Sequence, residues 1–314
     1  MTKKNTIHFQ KGTNLFDVLS QYGTEEKCRA ELFRLRWPHG FQCPHCEHTQ
    51  YCEIPNRNLF QCKNCRKQTS VMSGTIFDST KLPLPKWFLG IYFVTQSKDG
   101  ISSLNLARTI GISANAALRM KHKIQQVMKE REDSQPIGGS VQIDDCYWGG
   151  ERHDGNRGRG ATAKIPFVAA LSTNSQGHPL YIRFSQLHSF TKQEITDWAK
   201  QHIRPGSDIL SDGLNCFPGV KDAGCYHTAV VTGGGPKSVE KEEFKWLNTV
   251  IGNVKNSIHG TYHAVSPKHF GRYLAEFCYR FNRRFELDKL LARFTFAALR
   301  TSPLPGWALA TAEF

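Results

Sequence analysis

SVQIDDCYWGG (Ser140–Gly150) alternates apolar and polar side chains, with Val141 and Ile143 on one face, and reads as a β-strand. It carries Asp144 and Asp145 just ahead of a glycine-rich turn. Working outward, IPFVAALST (165–173) and HPLYIRFSQLH (178–188) read as two further strands joined at Asn174–Gly177, so the three make an antiparallel meander. The segment between the first two, ERHDGNRGRGATAK, is polar and basic and reads as a mobile loop. TKQEITDWAKQHI is helical, SDILSDG is a fourth strand ending at Asp212, and CYHTAVV is a fifth. A glycine-rich loop then leads to a helix, EEFKWLNTVIGNVKNSIHG.

Three strands, helix, strand, helix, strand, helix is the order of the ribonuclease H fold, and the meander, helix, fourth and fifth strands and late helix are read onto it. That fold sets the ends of its first and fourth strands side by side, so Asp144 and Asp212 converge. Two carboxylates at one point can bridge two Mg²⁺ ions about 3.5–4 Å apart. A third ligand normally comes from the late helix, where Asn248 stands and Lys255 follows seven residues later on the same face. Lys255 can hold a DNA-end phosphate as a point charge. Each position has a plainer alternative. Asp144 can be a strand-end turn residue with Asp145 as the ligand, and Asp212 in Ser-Asp-Gly an ordinary turn aspartate. Asn248 can be a helix cap, with Asn253, Glu242 or Glu243 ligating instead. His227 reads as structural or DNA-contacting, and His259, His263 and His269 have no zinc spacing.

Nearer the N-terminus, residues 15–37 look like one helix, stopped by Pro38 and Gly40. Next come Cys43 and Cys46, then Cys62 and Cys65, two C-x-x-C knuckles with fifteen residues between them. That is zinc-ribbon spacing, in which two tight turns present four thiolates tetrahedrally and a hairpin joins them. Lys63, Arg66 and Lys67 would line one face of it for nucleic acid. A Pro-punctuated stretch, LPLPKWFLGIYFVTQ, follows. In the segment after it, Ser102 or Ser103 caps a short helix, Gly111-Ile112-Ser113 makes a tight turn, and a second helix starts at Ala114. This is a helix-turn-helix pattern whose second helix, with Arg119, Lys121 and Lys123, would enter the major groove. Leu118, Ile124 and Val127 are expected to face inward, and Ser134–Gly139 reads as a linker.

Composition agrees. The 314 residues suit two or three domains, and 41 Lys+Arg against 27 Asp+Glu give a net charge of +14, which favours a polyanionic partner. Hydrophobic residues make up 39%, and no apolar run approaches the ~18 residues of a membrane span. With no apolar signal segment after MTKKNTIHFQKG, a cytoplasmic, nucleoid-associated bacterial protein is expected. The ten cysteines then read as reduced, and the six outside the ribbon (Cys28, Cys52, Cys146, Cys216, Cys225, Cys278) as small buried hydrophobes.

The stretch NTVIGNVKNSIHGTYHAVSPKHFGRYLAEFCYRFNRRF (Asn248–Phe285), together with IDDCYWGG, GRGATAKIPFVAALS and the four-cysteine ribbon, resembles the insertion-sequence transposases of the fifteen-ninety-five group. The resemblance covers nearly the whole chain. It implies a catalytic set of Asp144, Asp212, Asn248 and Lys255, with Asp144, Asp212 and Asn248 on Mg²⁺ or Mn²⁺. The thirty-five residues between Asp212 and Asn248 are a separation familiar from transposases and integrases. Many relatives carry glutamate at the third position, and asparagine offers a neutral carbonyl oxygen instead. The expected partners are double-stranded DNA, both element ends and target, and further copies of the chain in a dimer or larger assembly. In the last long helix, Tyr273, Leu274, Phe277, Cys278 and Phe281 form a core stripe, with Arg272, Arg280, Arg283 and Arg284 on a solvated or phosphate-binding face.

The expected fold class is therefore α+β and multidomain: an N-terminal helical segment (1–37), zinc ribbon (38–75), helix-turn-helix region (76–133), ribonuclease-H-like mixed sheet flanked by helices (134–305) and a tail (306–314). Two other functions use the same scaffold: a DNA-binding regulator without chemistry, and a structure-specific nuclease that cuts without joining.

Overall fold

The computed structural model describes residues 12–149, 164–230 and 242–310. The basic N-terminus, most of the expected loop over 151–164 and the glycine-rich loop after residue 231 lie outside them. The chain divides into two compact units. One comprises Met1–Ser97, Ile101–Val127 and Arg284–Thr311, and the other chiefly Lys98–Gly100 and Met128–Arg283. Two boundaries differ from the sequence expectation. Ser134–Gly139 is no linker, because Ile137 is 5% exposed and bridges to Ile203. Residues 284–311 cluster with the N-terminal segments because Leu290, Leu291, Phe294 and Ala298 of α9 (Leu290–Ala298) are buried there.

In the first unit, the single helix expected over 15–37 is two: α1 (Leu15–Tyr22) and α2 (Glu25–Arg36). Thr24 breaks it by taking an extended backbone and accepting the Lys27 amide in its side chain, a cap stronger than helical continuity through Gly23. The hairpin β1 (Tyr51–Ile54)/β2 (Leu59–Cys62), extended by β3 (Gln68–Thr69), packs on α2. Phe33, Trp37, Phe41, Tyr51 and Phe60 make that junction, with centroids 4.8–6.3 Å apart. Such ring pairs contribute about 0.5–1.5 kcal/mol each beyond area burial.

LPLPKWFLGIYFVTQ, which gave no helix signal beyond its prolines, forms α3 (Leu84–Gln96). Pro85 sits in the first turn, where its missing N–H costs nothing, and Leu84, Trp87, Phe88, Ile91 and Val94 are buried. Gly90 lets α3 meet α5 (Ala114–Asp133), since a Cβ there would run into the Met120 sulfur. Before α5 comes α4 (Ser103–Ile110), capped by the Ser102 hydroxyl and ended by Gly111 at φ +65°. The Ser113 hydroxyl accepts the Ala116 amide and caps α5.

In the second unit, β4 (Ser140–Trp148), β5 (Ile165–Thr173) and β6 (Pro179–Gln186) form the antiparallel meander, and β7 (Asp208–Ser211) and β8 (Tyr226–Ala229) add in parallel. The sheet order is β6-β5-β4-β7-β8. Its two faces bury different clusters. Val141, Ile143, Val168 and Ile209 pack with Ile195 and Trp198 of α6 (Lys192–His202) and with Phe217 and Val220. Cys146, Phe167, Ala169 and Phe184 pack with Leu247, Val254 and Ile258 of α7 (Lys245–Tyr262) and Phe270, Leu274 and Cys278 of α8 (Pro267–Asn282). A short α10 (Gly306–Ala310) buries Leu309 where a tail was expected.

The arginines of α8 are structural rather than solvated. Arg280 is 7% exposed and pairs with Glu276, which also accepts a 2.7 Å hydrogen bond from the Tyr262 hydroxyl. Arg272 is buried and contacts His269 Nδ1 at 2.7 Å, while Arg283 pairs with buried Glu132. Glu276→Ala would strip Arg280 of its carboxylate inside the protein. It is expected to cost about 3–5 kcal/mol, read as a drop in melting temperature, whereas Arg283→Ala and Glu132→Ala should behave as a coupled pair.

Candidate functional site

The β4–β7 ladder ends at Ile143↔Ser211, so the next residues, Asp144 and Asp212, stand side by side where β7 turns away. β4 continues to Trp148 against β5 alone, leaving a crevice beyond the carboxyl end of β7. Carboxyl ends of parallel strands are where such sheets bind ligands. The turn is held by local chemistry. Asp212 Oδ1 accepts the Leu214 amide at 3.1 Å, Gly213 takes φ +90°, and the Ser211 hydroxyl meets His227 Nε2 at 2.9 Å. His227, on β8, is held below its ordinary pKa by burial and by Lys221.

Asp144, Asp145 and Asp212 can each place a carboxylate oxygen within 4.8 Å of the others. Asp145 therefore stands within reach of the same point as Asp144 and Asp212, beside the first carboxylate of the adjacent Asp-Asp pair. Burial pushes the Asp144 carboxyl up to about 7, with Asp145 and Asp212 adding to the rise and Lys255 opposing it. Lys255 is thereby placed within electrostatic reach of the carboxylates. It shares the edge of the buried face of α7 with Asn248 and Gly252, all three partly exposed. α7 holds no carboxylate, Glu243 and Asn253 are exposed, and the side chain of Glu242 lies outside the described residues. Among the described residues, no glutamate joins the three aspartates.

The second cluster is Cys43, Cys46, Cys62 and Cys65, whose sulfurs also fall within 4.8 Å of one another. The two knuckles repeat one geometry. Glu47 and Arg66, each following the second cysteine, take φ +61°, and their amides reach back to the carbonyls of Cys43 and Cys62 at 2.9 and 3.1 Å. Cys43 and Cys62 are buried. A hydrogen bond from the His48 backbone lowers the Cys46 thiol to about 6. Four thiols held this closely, one favouring thiolate, suit a tetrahedral structural zinc. Of the other cysteines, five are buried as expected and Cys52 is exposed.

Lys63, Arg66, Lys67 and Arg119 are exposed. Lys121 is not available to a phosphate: it is 1% exposed, and its ammonium donates to the Ile101 carbonyl at 2.8 Å. Lys123 is half-buried, donating to the Ile76 carbonyl at 3.0 Å beside the Trp87 ring. Leu118 lies on the same helical face as Lys121, His122 and Gln125, and it is the advance along α5, not its periodicity, that takes the later residues under cover. Leu118, expected inside, is 38% exposed. No helix among the described residues is long and apolar enough to cross a membrane.

Comparisons with known proteins match the two halves separately. Residues 23–68 match the transposase zinc-ribbon domain, a span that includes α2. Residues 136–282 match the ISXO2-like transposase domain. A protein of Halobacterium salinarum described as an uncharacterized protein in transposable element ISH50 is 26% identical over 155 residues, 46% of this chain and about half (51%) of that one. A crystal structure of the Mos1 mariner paired end complex with Mn is similar at a TM-score of 0.22 and 11% identity, over 66% of this chain and 78% of that one. With the ribbon, the paired aspartates and both family matches in place, the chain belongs to the insertion-sequence transposases of the fifteen-ninety-five, or ISXO2-like, group.

Proposed function

We propose that this transposase binds the terminal inverted repeats of its element and, with divalent metal, cleaves the element's end and joins it to target DNA. The observation that carries the proposal is the carboxylate cluster at the end of β7, with Lys255 acting on it. The sheet order, three antiparallel strands followed by two parallel ones, supports a ribonuclease-H-like catalytic domain. The α4–turn–α5 pair supports a helix-turn-helix DNA-binding region, and the exposed Lys63, Arg66 and Lys67 a phosphate-contacting face on the ribbon.

The donor set fits Mg²⁺ or Mn²⁺. Crowded carboxylates that hold one another's charge back gain most from a divalent cation, and hard oxygen donors suit these ions. Asp144 and Asp212 would hold them, with Asn248 supplying a neutral amide oxygen from α7. Bound there, a pair of cations would activate the attacking oxygen and stabilise the leaving one. Lys255 would grip the phosphate of the DNA end and orient it in line. Water attacking phosphorus displaces the 3′-oxygen of the element's end. That 3′-hydroxyl then attacks a target phosphodiester, and the displaced target 3′-oxygen takes up a proton. Pairing two ends calls for at least a dimer on DNA.

The test uses full-length protein, an oligonucleotide ending in the inverted repeat that flanks the gene, and supercoiled plasmid with Mg²⁺ or Mn²⁺. Wild type is expected to join the end to the plasmid, with Asp212→Ala and Asn248→Ala joining none. A protein that binds the repeat but never cleaves it with either metal would be a DNA-binding regulator. One that cuts without joining would be a nuclease of the same fold.

A further inference from the structure

The first two turns of α5 carry a face that the described residues leave open. Asn115, Leu118 and Arg119 share it at spacings of three and four, and all three are exposed. Neither Asn115 nor Arg119 makes a side-chain hydrogen bond or ion pair among the described residues. One turn further the helix goes under cover, with Lys121 1% and His122 6% exposed. The open part is thus the helix's N-terminal end, the part that a groove-entering helix presents to base edges.

Charge identifies the occupant. From Ile101 to Lys129 there is no aspartate or glutamate, and α4 adds the exposed Arg108 beside the turn. An exposed leucine between an asparagine and an arginine is a poor solvent face, yet it suits a groove that offers methyl groups and hydrogen-bonding edges together. In the major groove, asparagine pairs two-point with adenine N6/N7 and arginine with guanine O6/N7, while apolar side chains pack on the thymine methyl.

We infer that Asn115, Leu118 and Arg119 read the base sequence of the terminal repeat in the major groove, Asn115 selecting an adenine and Arg119 a guanine. Four residues of helix advance about 6 Å, so the two base pairs lie about two steps apart. The inference rests on the DNA-binding role proposed for α4 and α5. Lys121 and Lys123, committed to the carbonyls of Ile101 and Ile76, take no part in it.

The probe is a pool of DNA duplexes with a randomised core, selected on full-length protein and sequenced, followed by affinity measurements on the enriched sequence and its single-base variants. Wild type should enrich a motif with a guanine and an adenine about two base pairs apart. Arg119→Ala should lose the preference at the guanine alone, and Asn115→Ala at the adenine alone. Each lost preference should be roughly 5- to 150-fold, the range expected for one two-point contact, with unchanged thermal stability. If both variants enrich the wild-type motif, or weaken all sequences equally, these residues do not read bases and the inference is overturned while DNA binding stands. If wild type enriches nothing and binds no better than charge alone explains, the DNA-binding role of α4–α5 falls with it.

Discussion

Asp144→Asn is expected to reduce end joining below detection and, in metal-free buffer at pH 8, to make the protein more stable than wild type. The two effects have one cause. In the folded protein the Asp144 carboxyl titrates near 7 instead of at 3.8, because it is buried and faces Asp145 and Asp212. Between those values the folded chain keeps a proton that the unfolded chain has released. The contribution of this carboxyl to stability is therefore fully present below about pH 4 and is lost as pH rises through 7. Above 7 the ionised group stands beside two like charges at full cost. Asparagine mimics the protonated form and removes that pH dependence. Part of the side chain still meets solvent, so the gain should be about 1–3 kcal/mol, read by thermal melts at pH 5 and pH 8. Adding Mn²⁺ should raise the wild-type melting temperature, since only the folded state gathers the ligands, and should barely move the variant. A wild type whose metal-free stability is flat from pH 5 to 8 would contradict this electrostatic picture.

Removing zinc should have the other large effect. The ribbon from Phe41 to Thr69 has little apolar core besides the rings it sets on α2, and its knuckles are closed by four sulfurs. Zinc binding by such thiolates is worth about 10–16 kcal/mol at neutral pH, most of it spent on folding the site. A strong chelator, or Cys62→Ser, should release one equivalent of zinc, unfold the ribbon and abolish repeat binding. The unit that carries the transposase domain, with its separate clusters on both sides of the sheet, should keep its own unfolding transition. Calorimetry beside zinc release measures both. Loss of zinc without loss of ribbon structure would show that the aromatic junction alone holds the fold.

The sequence disclosed most where a pattern is local and repetitive. Alternation placed β4 to within two residues, and C-x-x-C spacing announced the ribbon, because both depend on neighbours along the chain. The antiparallel meander was legible in the sequence, and the meeting of Asp144 with Asp212 came from the fold to which the element order was likened. What stayed hidden depends on packing. α3 is apolar on most sides because it is buried, so it lacks the one-sided stripe that marks a surface helix. The burial of Lys121, Arg272 and Arg280 could not be read from charge, since each is satisfied inside the fold, Lys121 by the carbonyl of Ile101 twenty residues away, Arg272 by His269 and Arg280 by Glu276 on their own helix. Asp145 was visible only as an alternative. Alternation sends neighbouring strand residues to opposite faces, and it is the early departure of β7 that opens room for both carboxylates.

The most direct test is a crystal structure of the protein with a repeat-end duplex and Mn²⁺, with the metal located by anomalous scattering. The account predicts manganese between Asp144 and Asp212, with the amide oxygen of Asn248 in its coordination sphere and Lys255 on the terminal phosphate. Manganese elsewhere in the chain, with this crevice empty although the same crystals carry joined product, would contradict it.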